Sequence, residues 1–349
     1  MLELDLPMHW SGLSLQPAIG LQHLNYHLSK NSAGSDTRSP DFTASYARLD
    51  LQATFDKPVY RAQQLAAVHS LQPQLRYFYR DITSNRSAQQ LAPQFDSDWL
   101  SVGGNTLYRD SRFSGYDIIE ASNQLTAALR HQRLRPGSGQ SIDLTLGQVV
   151  YFQNMSRSGA DLNLPAAATS RRSALLGDIG WHGARGLASF ASIEWDSENN
   201  RIEQGAFNLR LRRPAQAGRG LSIANLGYRY RKRDSAQILL AKNIEQVDAS
   251  VVTALNSSWG LFGRYQYDLN DERSAETLAG LQYDDCCLQL RLVYRDGLIY
   301  DPGAAASGTG AAAQRDRTVY LQLEFKGLAG VGRALENVLE ESIFGYRAN

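Results

Sequence analysis

The chain has 349 residues, with 36 Lys and Arg against 35 Asp and Glu and a formal net charge of +1. That balance gives no electrostatic case for a nucleic-acid partner, and there is no apolar run of about 18 residues to make a transmembrane helix. A membrane β-barrel is not excluded, because its strands alternate polar and apolar residues and never build such a run.

Taken in order, the alternation predicts about fifteen strands, over residues 2–9, 13–27, 42–55, 60–79, 119–134, 139–153, 173–182, 186–196, 201–212, 219–232, 246–255, 258–269, 275–285, 286–296 and 317–327. Side chains on a strand point to opposite faces with period two. Ala47, Leu49, Leu51, Ala53 and Phe55 thus oppose Arg48, Asp50, Gln52 and Thr54, and Leu226, Tyr228 and Tyr230 oppose Arg229 and Arg231. Trp259, Leu261, Tyr265, Tyr267 and Leu269 oppose Arg264, Gln266 and Asp268, while 60–79 is mixed and predicts a bulge. Short connections near 9–13, 56–60, 135–139, 182–186, 213–219, 256–258 and 284–287 alternate with longer ones at 29–41, 80–118, 154–172, 232–245, 270–274 and 296–316; only 197–200 is short where a long loop is due. Short turns at one rim and long loops at the other are the pattern of an outer-membrane barrel. The 17 Tyr and 5 Trp suit aromatic girdles at its two interfaces. Polar residues on the second face of many strands fit a wet lumen better than the dry core of a soluble β-sandwich.

After Lys326 the alternation stops, and Leu335, Val338, Leu339 and Ile343 take helical spacing, predicting a short amphipathic helix at the turn-side rim. Residues 1–327 are therefore read as barrel and 328–349 as a C-terminal periplasmic tail. The opening MLELDLPMHW has no charged segment followed by an apolar one, so no signal peptide is expected there. That leaves a cytoplasmic protein or a piece of a longer exported one.

Few residues suggest chemistry. His23 and His27 share a strand face, but no Cys or carboxylate cluster completes a metal site, and they read as lumen or loop histidines. The only cysteines, Cys286 and Cys287, are adjacent at a predicted turn. One peptide unit does not easily allow the torsion of a mutual disulfide; they are either two buried thiols or partners of distant cysteines, and a turn is a poor place for burial. In Phe95–Thr126, Asp96, Asp98, Arg109, Asp110, Arg112 and Asp117 crowd around Gly103, Gly104 and Gly115. No nucleophile, base and orienting group can be picked out of them, so they are read as an ion-paired loop folded into the barrel mouth. Glycine-rich phosphate loops and a GxSxG elbow are absent, and no cofactor or metal is expected.

The stretches FDSDWLSVGGNTLYRDSRFSGYDIIEASNQLT, SIDLTLGQVVYF, AETLAGLQYDDCCLQLRLVYR, TVYLQLEFKGLAGVG and IFGY, in that order, resemble the C-terminal part of the LptD (OstA) family of lipopolysaccharide-assembly proteins. The resemblance covers most of the chain, with the Cys-Cys turn after GLQY as its most specific element. It implies an all-β fold, an antiparallel transmembrane β-barrel of which this chain would be the C-terminal portion. In the family a periplasmic jellyroll precedes a 26-stranded barrel plugged by the lipoprotein LptE, and no catalysis is involved. The implied function is insertion of lipopolysaccharide, received from a periplasmic bridge, into the outer leaflet of the Gram-negative outer membrane. Release is through a lateral seam between the first and last strands. Here the last strand would be Val319, Tyr320, Leu321, Gln322, Leu323, Glu324 and Phe325. Cys286 and Cys287 would match the family's pair that bonds to cysteines of the N-terminal domain. By comparison the jellyroll and about eleven strands would lie outside this chain. Two other readings remain, a porin-like channel and an outer-membrane enzyme acting on lipids. The first would conduct ions without LptE, and the second would need a Ser/His/acid constellation that no strand offers. On the barrel reading, Leu261, Tyr265, Leu321 and Leu323 face lipid while Arg264, Gln266, Gln322 and Glu324 face water, so Gln322→Arg should be tolerated.

Overall fold

The computed structural model describes residues 1–25, 41–82, 97, 100, 103–104, 106–115, 118–153, 156–157, 170–213, 220–232, 243–300, 313–326, 329–331 and 334–346. It is one antiparallel meander. The strands are β1 (Leu2–Asp5), β2 (Met8–Trp10), β3 (Leu13–Asn25), β4 (Asp41–Ala53), β5 (Phe55–Arg61), β6 (Gln64–Ile82), β7 (Glu120–Arg135), β8 (Gln140–Tyr151), β9 (Ser156–Arg157) and β10 (Leu175–His182). They continue as β11 (Leu187–Asp196), β12 (Arg201–Arg213), β13 (Ser222–Arg231), β14 (Ile244–Ala254), β15 (Trp259–Asp268), β16 (Arg273–Asp284), β17 (Leu288–Tyr300), β18 (Ala313–Phe325) and β19 (Ala329–Val331), before one helix, α1 (Ala334–Ser342). β1 and β2 both pair with β3, on either side of the break at Pro7, and β4 and β5 both pair with β6. With each broken pair counted once and the two- and three-residue strands β9 and β19 left out, these nineteen strands make fifteen staves. Among the described residues β18 pairs with β17 and β19, and no ladder joins it to β1 or β2.

Several boundaries differ from the sequence reading; β17 runs to Tyr300 and β18 starts at Ala313, where the strands were expected to end at 296 and begin at 317. The turn expected at 56–60 lies at Ala62 and Gln63, both left-handed with φ of 50° and 64°, and the strand runs on to Arg61 with a register shift between Val59 and Tyr60. Lys57-Pro58 resembles a turn signal, but Pro58 is tolerated in β5 because β3 ends its pairing at Ala53, so no partner there needs the missing N–H.

The register separates two faces. Leu261, Leu281, Leu292 and Leu321 are successive cross-strand neighbours on β15 to β18 and form one apolar row on the outer face. Leu321 is 61% exposed and Leu292 48%. Such a band has no reason to face water and every reason to face hydrocarbon. Trp10, Trp181 and Trp259, all exposed, sit on this face at the strand ends nearest the short turns, where an aromatic belt meets the membrane interface.

On the inner face, α1 folds back over the sheet. Leu335, Leu339 and Ile343, four residues apart on one helical stripe, are buried with Tyr346 against Ile223, Val252, Phe262, Leu278 and Val293. The Phe262 and Tyr346 rings meet edge to face at 5.7 Å. These strand residues lie toward the short-turn end, so the predicted tail helix is at that rim but turned inward, because the inner face there carries an apolar patch that water would otherwise cover.

Candidate functional site

Three features occupy the inner face and the short-turn rim. The first is formed by the described residues of 100–113, laid across β4, β6, β7 and β8. Leu107 is buried beside Val149, Tyr151 and Leu176, and a Cβ at Gly147 would come within 2.5 Å of its side chain, so glycine makes room for the loop. Around this anchor the loop is tied by charge. Asp110 accepts from Arg48 Nη1 at 3.2 Å and Arg76 Nη1 at 3.3 Å. Arg112 gives its backbone N–H to Glu120 Oε1 at 2.6 Å and its Nε–H to Oε2 at 2.9 Å, and its guanidinium sits 4.6 Å from the Tyr151 ring centre. Arg80 donates to the Glu120 carbonyl at 2.6 Å. Arg109 contributes its carbonyl, which accepts from Gln124 Nε2 at 3.3 Å. Burial pushes the Tyr108 phenol up to about 12, so it stays a donor, to Gln74 Oε1 at 2.6 Å. Asp96, Asp98 and Asp117 lie outside the described residues, as does His27. The partners Arg48, Arg76, Arg80 and Glu120 were not singled out in the sequence, since each sits in an ordinary alternating strand.

The second feature is the last strand. Its inner residue Gln322 is 3% exposed, not washed by lumen water. It donates to Glu336 Oε1 of α1 at 3.0 Å and accepts from Arg291 Nη1 at 3.1 Å. The expected tolerance of Gln322→Arg is therefore withdrawn, since a second guanidinium would be buried against Arg291. Leu323, Glu324 and Phe325 pair with Val331, Gly330 and Ala329 of β19, so the β18 edge beyond Ala313–Gln322 is already capped. Val319, Leu321 and Phe325 are exposed on the outer face, while Tyr320 packs against the tail cluster.

The third is the cysteine hairpin between β16 and β17. The Asp285 N–H donates to the Leu288 carbonyl at 2.9 Å, the Lys326 N–H to the Cys287 carbonyl at 3.0 Å, and the Lys326 ammonium to the Asp284 carboxylate and the Asp285 carbonyl. The turn backbone is thus pinned while both thiols stay free, exposed and 2.7 Å apart. The hydrogen bond to Cys287, partial desolvation and the Asp285 carboxylate raise the Cys286 thiol above its ordinary value. Cys286 should then alkylate more slowly than an unhindered cysteine near about pH 8, since only the thiolate reacts. After oxidation of the pure chain, thiol counting should find free thiols or intermolecular bridges; an intramolecular Cys286–Cys287 bond would refute this reading of the turn. Among the described residues no group of three His, Cys, Asp or Glu could hold a metal ion.

Residues 2–259 match the family model described as LPS transport system D. The chain is 30% identical over 337 residues to the LPS-assembly protein LptD of Alkalilimnicola ehrlichii, covering 96% of this chain and 41% of that protein. To the LptD of Saccharophagus degradans it is 29% identical over 350 residues, covering 95% of this chain and 38% of the relative. It therefore spans about two-fifths of the length of the curated relatives it matches. The ferripyoverdine receptor of the outer membrane of Pseudomonas aeruginosa is similar with a TM-score of 0.32 and 10% identity, over 93% of this chain and 50% of that one. With its family model matched over most of its length and an antiparallel sheet whose apolar face looks outward, the chain belongs to the LptD family and has the fold of an outer-membrane β-barrel.

Proposed function

We propose that this chain lines the barrel through which lipopolysaccharide reaches the outer leaflet, without making or breaking covalent bonds in it. The family match carries the reading. The two faces support it physically. A phosphorylated sugar head needs a polar path, because charge in hydrocarbon is costly. The acyl chains need an apolar one, because exposing them to water costs about 25 cal/mol per Å². A sheet with ion-paired residues inside and leucine rows outside meets both demands if the wall opens sideways. On this reading LptE fills part of the lumen as a plug, a periplasmic bridge delivers the substrate, and Cys286 and Cys287 form disulfides to cysteines of the N-terminal domain. The lateral seam lies along β18, where the edge Ala313–Gln322 carries no described partner beyond β17. A fully paired barrel has no edge to open.

The test is a covalent lock. A cysteine at Thr318, on the uncapped part of that edge, cross-linked to the first barrel strand of the full-length protein should stop export of lipopolysaccharide to the cell surface. The same lock between β15 and β16 should leave export normal. Normal surface lipopolysaccharide with the seam fully cross-linked would rule out lateral release here.

A further inference from the structure

Most inner-face arginines of this sheet have a counter-charge: Arg48, Arg76, Arg130, Arg264, Arg291 and Arg295 each hold a carboxylate, and the buried Arg80 donates to the Glu120 and Asp110 carbonyls. Arg210 and Arg212 on β12, and Arg229 and Arg231 on β13, form no ion pair among the described residues. Register puts all four on the inner face, since Arg212 opposes the buried Ile223, Arg210 opposes Asn225, Arg229 opposes Ala206 and Arg231 opposes Gln204. Arg229 Nη2 donates to Gln246 Oε1 at 2.6 Å, and the Arg210 guanidinium stacks 5.1 Å from the Phe344 ring centre. Neither contact neutralises charge. Glu194 attracts Arg231 without forming an ion pair, and Asp248, on the next strand, is already held by Arg264 at 2.8 Å.

Apart from the Phe344 contact at Arg210, no described segment lies over this part of the wall. The described residues of 100–113 cover the sheet on one side of it and α1 on the other. Between the two arginine pairs the facing residues are Asn208 and Gly227, one neutral and one without a side chain, and Phe190 on the neighbouring strand shows 44% of its surface. From Ala206, which opposes Arg229, to Arg210 is four residues, about 13 Å of strand. Uncompensated guanidiniums in fixed positions are forks for bidentate oxyanions.

We propose that β12 and β13 carry a binding site for a sugar bearing two phosphate or carboxylate groups, one held at Arg210 and Arg212 and the other at Arg229 and Arg231. The site rests on the transport reading for its biological ligand but stands on its own as a binding surface. Its anionic groups take the place of the carboxylates that most other inner arginines already have, and the neutral floor between them passes the uncharged ring atoms without holding them.

The protein in lipid nanodiscs is titrated with a fluorescent bisphosphorylated disaccharide and with the same disaccharide lacking phosphate. The phosphorylated probe should bind at least roughly tenfold more tightly, and the preference should shrink as salt rises from about 50 to about 200 mM. The double variant Arg210→Gln with Arg229→Gln should lose roughly tenfold of it. The Lys counterparts should retain part, because charge survives but the fork does not. Arg213→Gln, on the outward-facing rim, should change nothing, and a heat-shifted gel confirms that each variant folds. Equal affinity for the two probes, or full selectivity in the double Gln variant, would overturn the site whatever cells export. Normal export in the double Gln variant, once its phosphate selectivity is lost, would uphold the site and count against its link to the transport reading alone.

Discussion

Glu120→Ala should destabilise the protein by about 3–5 kcal/mol, the typical cost of removing one partner of a buried ion pair. Glu120 is 1% exposed and its partner Arg112 8%. The carboxylate takes two hydrogen bonds from Arg112, one from the backbone and one from the side chain. Its loss leaves the guanidinium buried without this counter-charge, against the Tyr151 ring and near the likewise buried Arg80. Because the pair fastens the described residues of 100–113 to the wall, the same change should raise protease cleavage there before global unfolding. Replacing both partners by apolar residues, Glu120→Leu with Arg112→Met, should cost much less, since no charge then remains to be solvated. Urea unfolding in micelles measures both. A loss below about 1 kcal/mol for Glu120→Ala would mean that the loop is held by Leu107 and Asp110 rather than by this pair.

Leu292→Arg should cost about 2–4 kcal/mol, the penalty for arginine near the membrane midplane on the lipid face of a barrel. Leu292 lies between Leu281 and Leu321 in the outer row, so its replacement has no polar neighbour across either ladder. Thr145→Arg makes the opposite case. It sits on the inner face opposite Asp178, whose Oδ1 is buried without a hydrogen-bond partner, and should cost less than about 1 kcal/mol. Refolding yield into lipid vesicles, read by heat-modified gel migration, compares the two. Equal losses would place lipid and lumen on the wrong faces.

The strands, their antiparallel order and the two-faced wall were legible in the chain because strand geometry has period two. A period-two pattern needs nothing beyond neighbouring residues to be read. Leu321 against Gln322 and Tyr265 against Arg264 take opposite faces for that reason alone. The exposed Cys-Cys turn was equally local. The tail helix could be found from the spacing of Leu335, Leu339 and Ile343, but not its seat, because an amphipathic stripe does not say which surface will cover it. Five strands had to come together before Ile223, Val252, Phe262, Leu278 and Val293 made that surface. The same holds for charge. Asp110 and Arg112 drew attention as a dense loop, yet their partners Arg48, Arg76 and Glu120 lie up to 62 residues away and look in sequence like any polar position of a strand. Gln322 read as a lumen residue open to water, and only the fold placed Glu336 over it. Alternation assigns a side chain to a face; what packs on that face is decided by chain segments distant in sequence, whose contacts exist only after the sheet has formed.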